Sequence, residues 1–167
     1  CEAHMAGIKV YPEVMIPLIS TANELENQAG VARDVAEQVL GEYGVQMDYQ
    51  LGTMIELPRA ALTADQIAPH AEFFSFGTND LTQTTFGLSR DDFNSFFSDY
   101  NEFDLLEANP FKVLGSQVKE LIQIAAQRGR LTRPNISMGL CGEHGAEPEN
   151  IAYVRSIGLN YTSCSPY

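Results

Sequence analysis

The sequence predicts an α/β fold, a (β/α)8 TIM barrel that is here incomplete and carries roughly its last five strand–helix units. Three observations predict it. Short apolar runs alternate with helical patterns along the chain. None of those runs is followed by the G-x-G-x-x-G turn of an open dinucleotide-binding sheet. Polar residues, Glu56, Asp80 and Cys141 among them, stand at the carboxyl ends of the runs, where barrel chemistry sits. A whole barrel has eight strands and about 250 residues, so about three strand–helix units are expected before Tyr11.

Each element has its own signal. Residues 14–19 (VMIPLI) are too few for a helix and apolar throughout, so they read as a strand buried on both faces. Thr21 and Glu24 have capping-box spacing, and Leu25, Ala29, Ala32, Val35 and Val39 trace one helical face that ends near Gly41 and Gly44. Residues 52–57 (GTMIEL) form a second strand stopped by Pro58, and Thr63 with Gln66 offers a capping box for a short helix. Residues 73–78 (FFSFGT) are the third strand. Residues 80–107 are acidic and rich in Phe without a sustained period, which predicts short helices and an extended loop above the sheet. Asn109 and Pro110 read as the cap and first turn of a helix whose apolar residues, Val113 to Ala125, lead to Gly129. Residues 136–142 (ISMGLCG) are the fourth strand, Pro148 opens a helix to Gly158, and residues 161–166 (YTSCSP) are the fifth strand.

Composition narrows the function. Lys and Arg number 10 against 22 Asp and Glu, a formal charge of −12, and the basic residues do not cluster. Such a field repels nucleic acid and anionic lipid, so neither is expected as a partner. An anionic substrate would need a local device such as a bound cation. Cys1, Cys141 and Cys164 are an odd set without C-x-x-C spacing, which argues against a disulfide framework or zinc knuckle and for a reducing compartment. No apolar run approaches the ~18 residues of a membrane span, and the start lacks a signal-peptide pattern. The expected location is the cytoplasm, or an organelle in some eukaryotes. No flexible linker divides the chain, and residues 1–167 read as one partial domain cut from a longer chain.

At the strand ends, Glu56 and Asp80 are two hard oxygen donors on adjacent strands, the usual protein share of a Mg2+ site. The plainer alternative pairs Glu56 with Arg59 and makes Asp80 the cap of a helix beginning at Leu81. Gly77, Thr78 and Asn79 form a turn whose backbone N–H groups suit an anion, or simply join strand to helix. Cys141, with Glu143 and His144 just after it, is a nucleophile, a proton donor or a small buried hydrophobe. His144 equally fits a satisfied loop histidine. His4 and His70 have no partners that single them out, and Cys164 reads as structural.

As a set, VMIPL, GTMIELPRAAL, FFSFGTNDLTQTTFGLSRDD, GLCGEHG and YTSCSP resemble the phosphoenolpyruvate-utilising family, in order and over nearly the whole chain from Val14. FFSFGTNDLTQ is the most specific part. The resemblance implies a (β/α)8 substrate domain for phosphoenolpyruvate and pyruvate. It implies Mg2+ on Glu56 and Asp80, substrate contacts from Glu56, Gly77, Thr78, Asn79 and Asp80, and Cys141 as proton donor. Glu143 and His144 would support the site from behind. Within the family, Glu143, His144 and the run FGLSRDD resemble the dikinase branch, with the synthase branch and enzyme I of the sugar phosphotransferase system as alternatives. The branch implies a phosphohistidine domain in the same parent chain and a homodimeric parent. Of another class is a non-catalytic substrate-binding or dimerisation fragment.

Overall fold

The computed structural model describes residues 1–106 and 108–164. Five parallel strands, β1 Glu13–Ile16, β2 Gln50–Ile55, β3 Phe73–Gly77, β4 Ser137–Cys141 and β5 Tyr161–Thr162, lie side by side in chain order. α1 Glu2–Met5 precedes β1, and between the strands run α2 Ala22–Tyr43, α3 Pro58–Leu62, α4 Ala64–Ile67, α5 Thr78–Phe86, α6 Arg90–Glu102, α7 Ser116–Thr132 and α8 Pro148–Ser156. A doubly wound sheet reverses its strand order at a switch point, and this one never does. Stepping always to the next neighbour with crossovers of one hand is how consecutive barrel strands are laid down. The core lies between the sheet and the helices, where Leu51, Ile55, Phe74, Phe76, Met138 and Leu140 are buried against α3, α4 and α7.

Several sequence signals hold in detail. Thr21 accepts from the Glu24 N–H while the Glu24 carboxylate accepts from the Thr21 N–H, the reciprocal capping box that starts α2. Gly44, with φ of 62°, ends that helix in the left-handed conformation that glycine adopts without a steric cost. Pro148 takes the first position of α8, where its missing N–H has no helical partner to lose.

Others are corrected. β1, outermost of the five strands described, is not buried on both faces: Val14 and Met15 are each 38% exposed. Leu25 and Ala29 of α2 are buried, but Val35 and Val39 face solvent, since the helix, about 33 Å long at 1.5 Å per residue, outruns the short strand beneath it. Thr63 makes no capping bond to α4; its hydroxyl donates instead back to the Arg59 carbonyl, in the first turn of α3. Asn109 accepts from the Phe111 N–H in a local turn, and α7 begins only at Ser116. Gly129 does not end α7. It is buried within it, where a Cβ would meet Phe74 and Met138, so the glycine serves close packing of helix on sheet. Residues 90–102 form a continuous helix with Ser89 as cap, and Phe93, Phe96, Phe97 and Tyr100 do follow a helical period. β5 is two residues long; Cys164 lies beyond it, exposed, and Glu107, Ser165 and Pro166 lie outside the described residues.

Candidate active site

Side chains alternate along a strand, so residues of one parity share a face. Phe74, Phe76, Met138 and Leu140 face the helices. The other parity carries Met54 and then Glu56 after β2, Ser75 and Gly77 on β3, and Gly139 and Cys141 on β4. Register pairs Ile55 with Phe76 and Gly77 with Cys141, which sets Glu56, Gly77 and Cys141 in a row along the carboxyl rim. A side chain at Gly77 would crowd the site: a Cβ would lie 2.5 Å from the Met54 Sδ and 2.6 Å from the Glu56 Oε2, so one of them would have to move.

Glu56 is 2% exposed, and its Oε1 accepts from the Leu18 N–H at 2.7 Å. Burial pushes its carboxyl above the usual 4.5; the Leu18 bond opposes this, while the neighbouring Asp80 carboxyl pushes it further up. The two acids therefore meet. Among the described residues Glu56 makes no ion pair with Arg59. Asp80 is no cap either, because α5 begins at Thr78 and Asp80 sits in its first turn with Oδ1 accepting from Gln83 Nε2 at 3.0 Å. Two neighbouring carboxyls, one of them buried, are eased by a shared proton or a cation between them, so the pair fits a divalent ion. Among the described residues no group of three or more His, Cys, Asp and Glu gathers as a full protein cage. For Mg2+, which keeps water and substrate oxygens in its shell, two carboxylates suffice.

Gly77, Thr78 and Asn79 do not form a turn ahead of the helix; Thr78 and Asn79 are its first two residues, and Gly77 is its cap. The first-turn N–H groups have no helical acceptor, which gives this end of α5 a partial positive charge at the same rim.

Cys141 is half-buried. The Ser75 hydroxyl donates to its sulfur at 3.1 Å, and the thiol donates to the Phe76 carbonyl at 3.4 Å. Burial pushes the thiol above its usual 9.0, Ser75 pulls it back, and the charge of Glu56 raises it. A thiol so placed keeps its proton at neutral pH. Nucleophilic attack needs the thiolate, which this environment disfavours.

His144 is fully buried, with Nε2 2.8 Å from the Pro110 carbonyl and Nδ1 2.8 Å from the Thr78 hydroxyl. The Pro110 carbonyl only accepts, so Nε2 carries the proton, while Nδ1 faces the Thr78 hydroxyl, whose one hydrogen is donated to the Cys141 carbonyl. Thr78 also lies 3.0 Å from the Cys141 carbonyl, so His144 ties the segment at Pro110 to the base of the site without lining it. Burial holds the imidazole below its usual 6.5. Glu143 points outward, pairs with Arg90 and gives its N–H to the Asn79 side chain at 3.2 Å.

Leu18, Ser75, Gln83 and Arg90 also take part in the site without standing out among the candidates read from the sequence. Ser75 carries a signal, as the one polar residue inside the apolar run FFSFG; Leu18 carries none.

Residues 2–167 match the family described as PEP-utilising enzyme, PEP-binding domain. The chain belongs to this family. It is 52% identical over 171 residues to a pyruvate, phosphate dikinase of Treponema pallidum (strain Nichols), covering 96% of this chain and 19% of that protein. It is 53% identical over 162 residues to a chloroplastic pyruvate, phosphate dikinase of Flaveria pringlei, covering 96% of this chain and 17% of the relative. A pyruvate, phosphate dikinase of Rhizobium meliloti (strain 1021) is 53% identical over 166 residues, covering 99% and 18%. The chain thus spans under a fifth of the length of these relatives. Among solved structures, the citrate synthase SbnG superposes with a TM-score of 0.55 at 13% identity, covering 92% of this chain and 56% of that one. At that identity the likeness is one of fold alone. No helix among the described residues is long and apolar enough to cross a membrane.

Proposed function

We propose that this chain is the phosphoenolpyruvate- and pyruvate-binding part of a pyruvate phosphate dikinase. The whole enzyme would interconvert ATP, phosphate and pyruvate with AMP, diphosphate and phosphoenolpyruvate through a phosphohistidine carried by another domain of the same parent chain, as a homodimer in the cytoplasm or an organelle. The observation that supports the reading is the row at the rim, the Cys141 thiol in line with Gly77 and Glu56 and near Asp80, in a chain whose relatives are dikinases.

Glu56 and Asp80 would hold Mg2+, which when bound neutralises negative charge growing on the substrate oxygens. The N–H groups of Thr78 and Asn79, with the Asn79 amide, would orient the substrate carboxylate against Asp80. Cys141 would manage the proton. As phosphoenolpyruvate gives its phosphoryl group to the histidine, the P–O bond breaks and the methylene carbon takes the thiol proton to become the pyruvate methyl. In the other direction the thiolate removes that proton and the enolate oxygen accepts the phosphoryl group. Positioning and charge neutralisation do most of the work in such transfers.

The test is turnover in the full-length protein. Phosphoenolpyruvate should form from pyruvate, ATP and phosphate with phosphate consumed, and Asp80→Ala should remove this activity without unfolding the protein. Release of phosphate in place of its consumption would assign the synthase reaction, and binding of pyruvate without turnover would assign a binding module.

A further inference from the structure

Leu18 is one of two non-glycine residues with positive φ among the described residues, at 55°, and it is 61% exposed. A left-handed conformation is strained for a leucine, and such strain persists only where something compensates for it. The side chain, largely in solvent, supplies little. No backbone hydrogen bond of a turn is made by the Leu18 N–H either. Its one partner is the Glu56 Oε1 at 2.7 Å, a bond to a carboxyl group 38 residues away on the next strand.

The surroundings fix this arrangement from both sides. Thr53 of β2 donates to the Ile16 carbonyl at 2.8 Å, clamping the end of β1 two residues before Leu18. Pro17 then restricts the chain leading into it. On the far side, the Glu56 Oε2 lies against the bare Cα of Gly77. The carboxyl is thus held at one oxygen by the end of β1 and packed at the other against the end of β3.

We infer that Leu18 is a positioning residue, whose left-handed backbone aims its N–H at Glu56 so that this carboxylate is presented to a divalent cation shared with Asp80. The inference rests on the reading of Glu56 and Asp80 as the cation site. Leu18 acts through its main chain, so the identity of the side chain matters little and the presence of the N–H matters a great deal.

The test uses the full-length protein and Mn2+ as the probe, with affinity read by calorimetry and electron spin resonance and unfolding followed in parallel. Replacing Leu18 by its α-hydroxy acid removes the N–H and keeps the side chain. Loss of a hydrogen bond to a charged group predicts Mn2+ affinity weakened about tenfold or more, and a raised KM for the metal with a smaller change in kcat. Leu18→Ala should bind Mn2+ within about twofold of wild type, a change of well under 1 kcal/mol, and Leu18→Gly should do the same, since glycine keeps the N–H and accepts positive φ. Wild-type affinity in the ester protein, or an equal loss in Leu18→Ala, overturns the inference. Should the ester protein not fold, the Leu18 amide proton in protein labelled with 15N-leucine decides: it should resonate far downfield and move upfield in Glu56→Ala, and an unmoved resonance overturns the inference. Glu56→Gln separates the two readings. Unimpaired Mn2+ binding in that variant sinks the cation site itself, whereas lost binding there with wild-type affinity in the ester protein sinks only the role of Leu18.

Discussion

Cys141 is the residue whose chemistry and packing make opposite predictions. As a proton donor it is worth a factor of about 100 to 10,000, so Cys141→Ala should lose pyruvate formation and deuterium exchange into the pyruvate methyl together, in a protein that unfolds at a near-normal temperature. A packing role would give a less stable protein with near-normal turnover per folded molecule. His144 belongs to the same scale but answers to pH. Its ring is held below 6.5 when folded, so the unfolded chain binds the extra proton first as pH falls. This contribution to stability is complete above about 6.5 and lost as pH drops through the folded value. Urea unfolding from pH 8 to 5 should show that loss in the wild type, and His144→Gln, starting less stable, should show a shallower slope.

At the scale of elements, α7 rests on the sheet at Gly129. Alanine is the better helix former by about 1 kcal/mol, yet a Cβ there would sit 2.8 Å from the Phe74 ring and 2.9 Å from the Met138 methyl. Overpacking costs about 1–3 kcal/mol, so Gly129→Ala should lower stability on balance, and a raised unfolding midpoint would show that the sheet yields. Local signals in the sequence account for much of this architecture. The capping box at Thr21, Pro148 at a helix start and the alternation of strands with helices depend on neighbours within a few residues, and they read true. Gly129 misleads because its reason is a contact with β3 and β4, far away in the chain. Thr63 misleads because two short helices compete for one hydroxyl. Glu56, Asp80 and Cys141 stand out because charged and thiol groups at strand ends are conspicuous. Leu18 is invisible because its role lies in a backbone angle and an N–H that every residue but proline has.

For the whole molecule, the rim trades stability for readiness. Glu56 has its carboxyl raised, so its contribution is fully present below the unfolded value of 4.5 and is lost as pH rises through the folded value. Near neutrality the metal-free protein therefore holds two repelling acids together. Mg2+ at about 100 times its Kd should add about 2.7 kcal/mol of stability, with the effect fading as pH falls toward 4.5. Asp80→Asn should stabilise the metal-free protein and abolish the Mg2+ effect. Thermal unfolding across pH with and without Mg2+ measures both, and an Asp80→Asn protein no more stable than wild type without metal would refute the repulsion.

Around this pair the polar residues close into a loop: Asp80 accepts from Gln83, Gln83 accepts from the Arg90 N–H, Arg90 pairs with Glu143, and the Glu143 N–H returns to Asn79. Members of such a loop do not vary independently, because each substitution changes what its neighbours are left to bond. A lineage that alters Gln83 first meets a different landscape from one that alters Glu143 first, and the same pair of changes can be blocked by one order and open by the other. Gln83, Arg90 and Glu143, which bond to the site's side chains, thereby set which histories of mutation the site can survive.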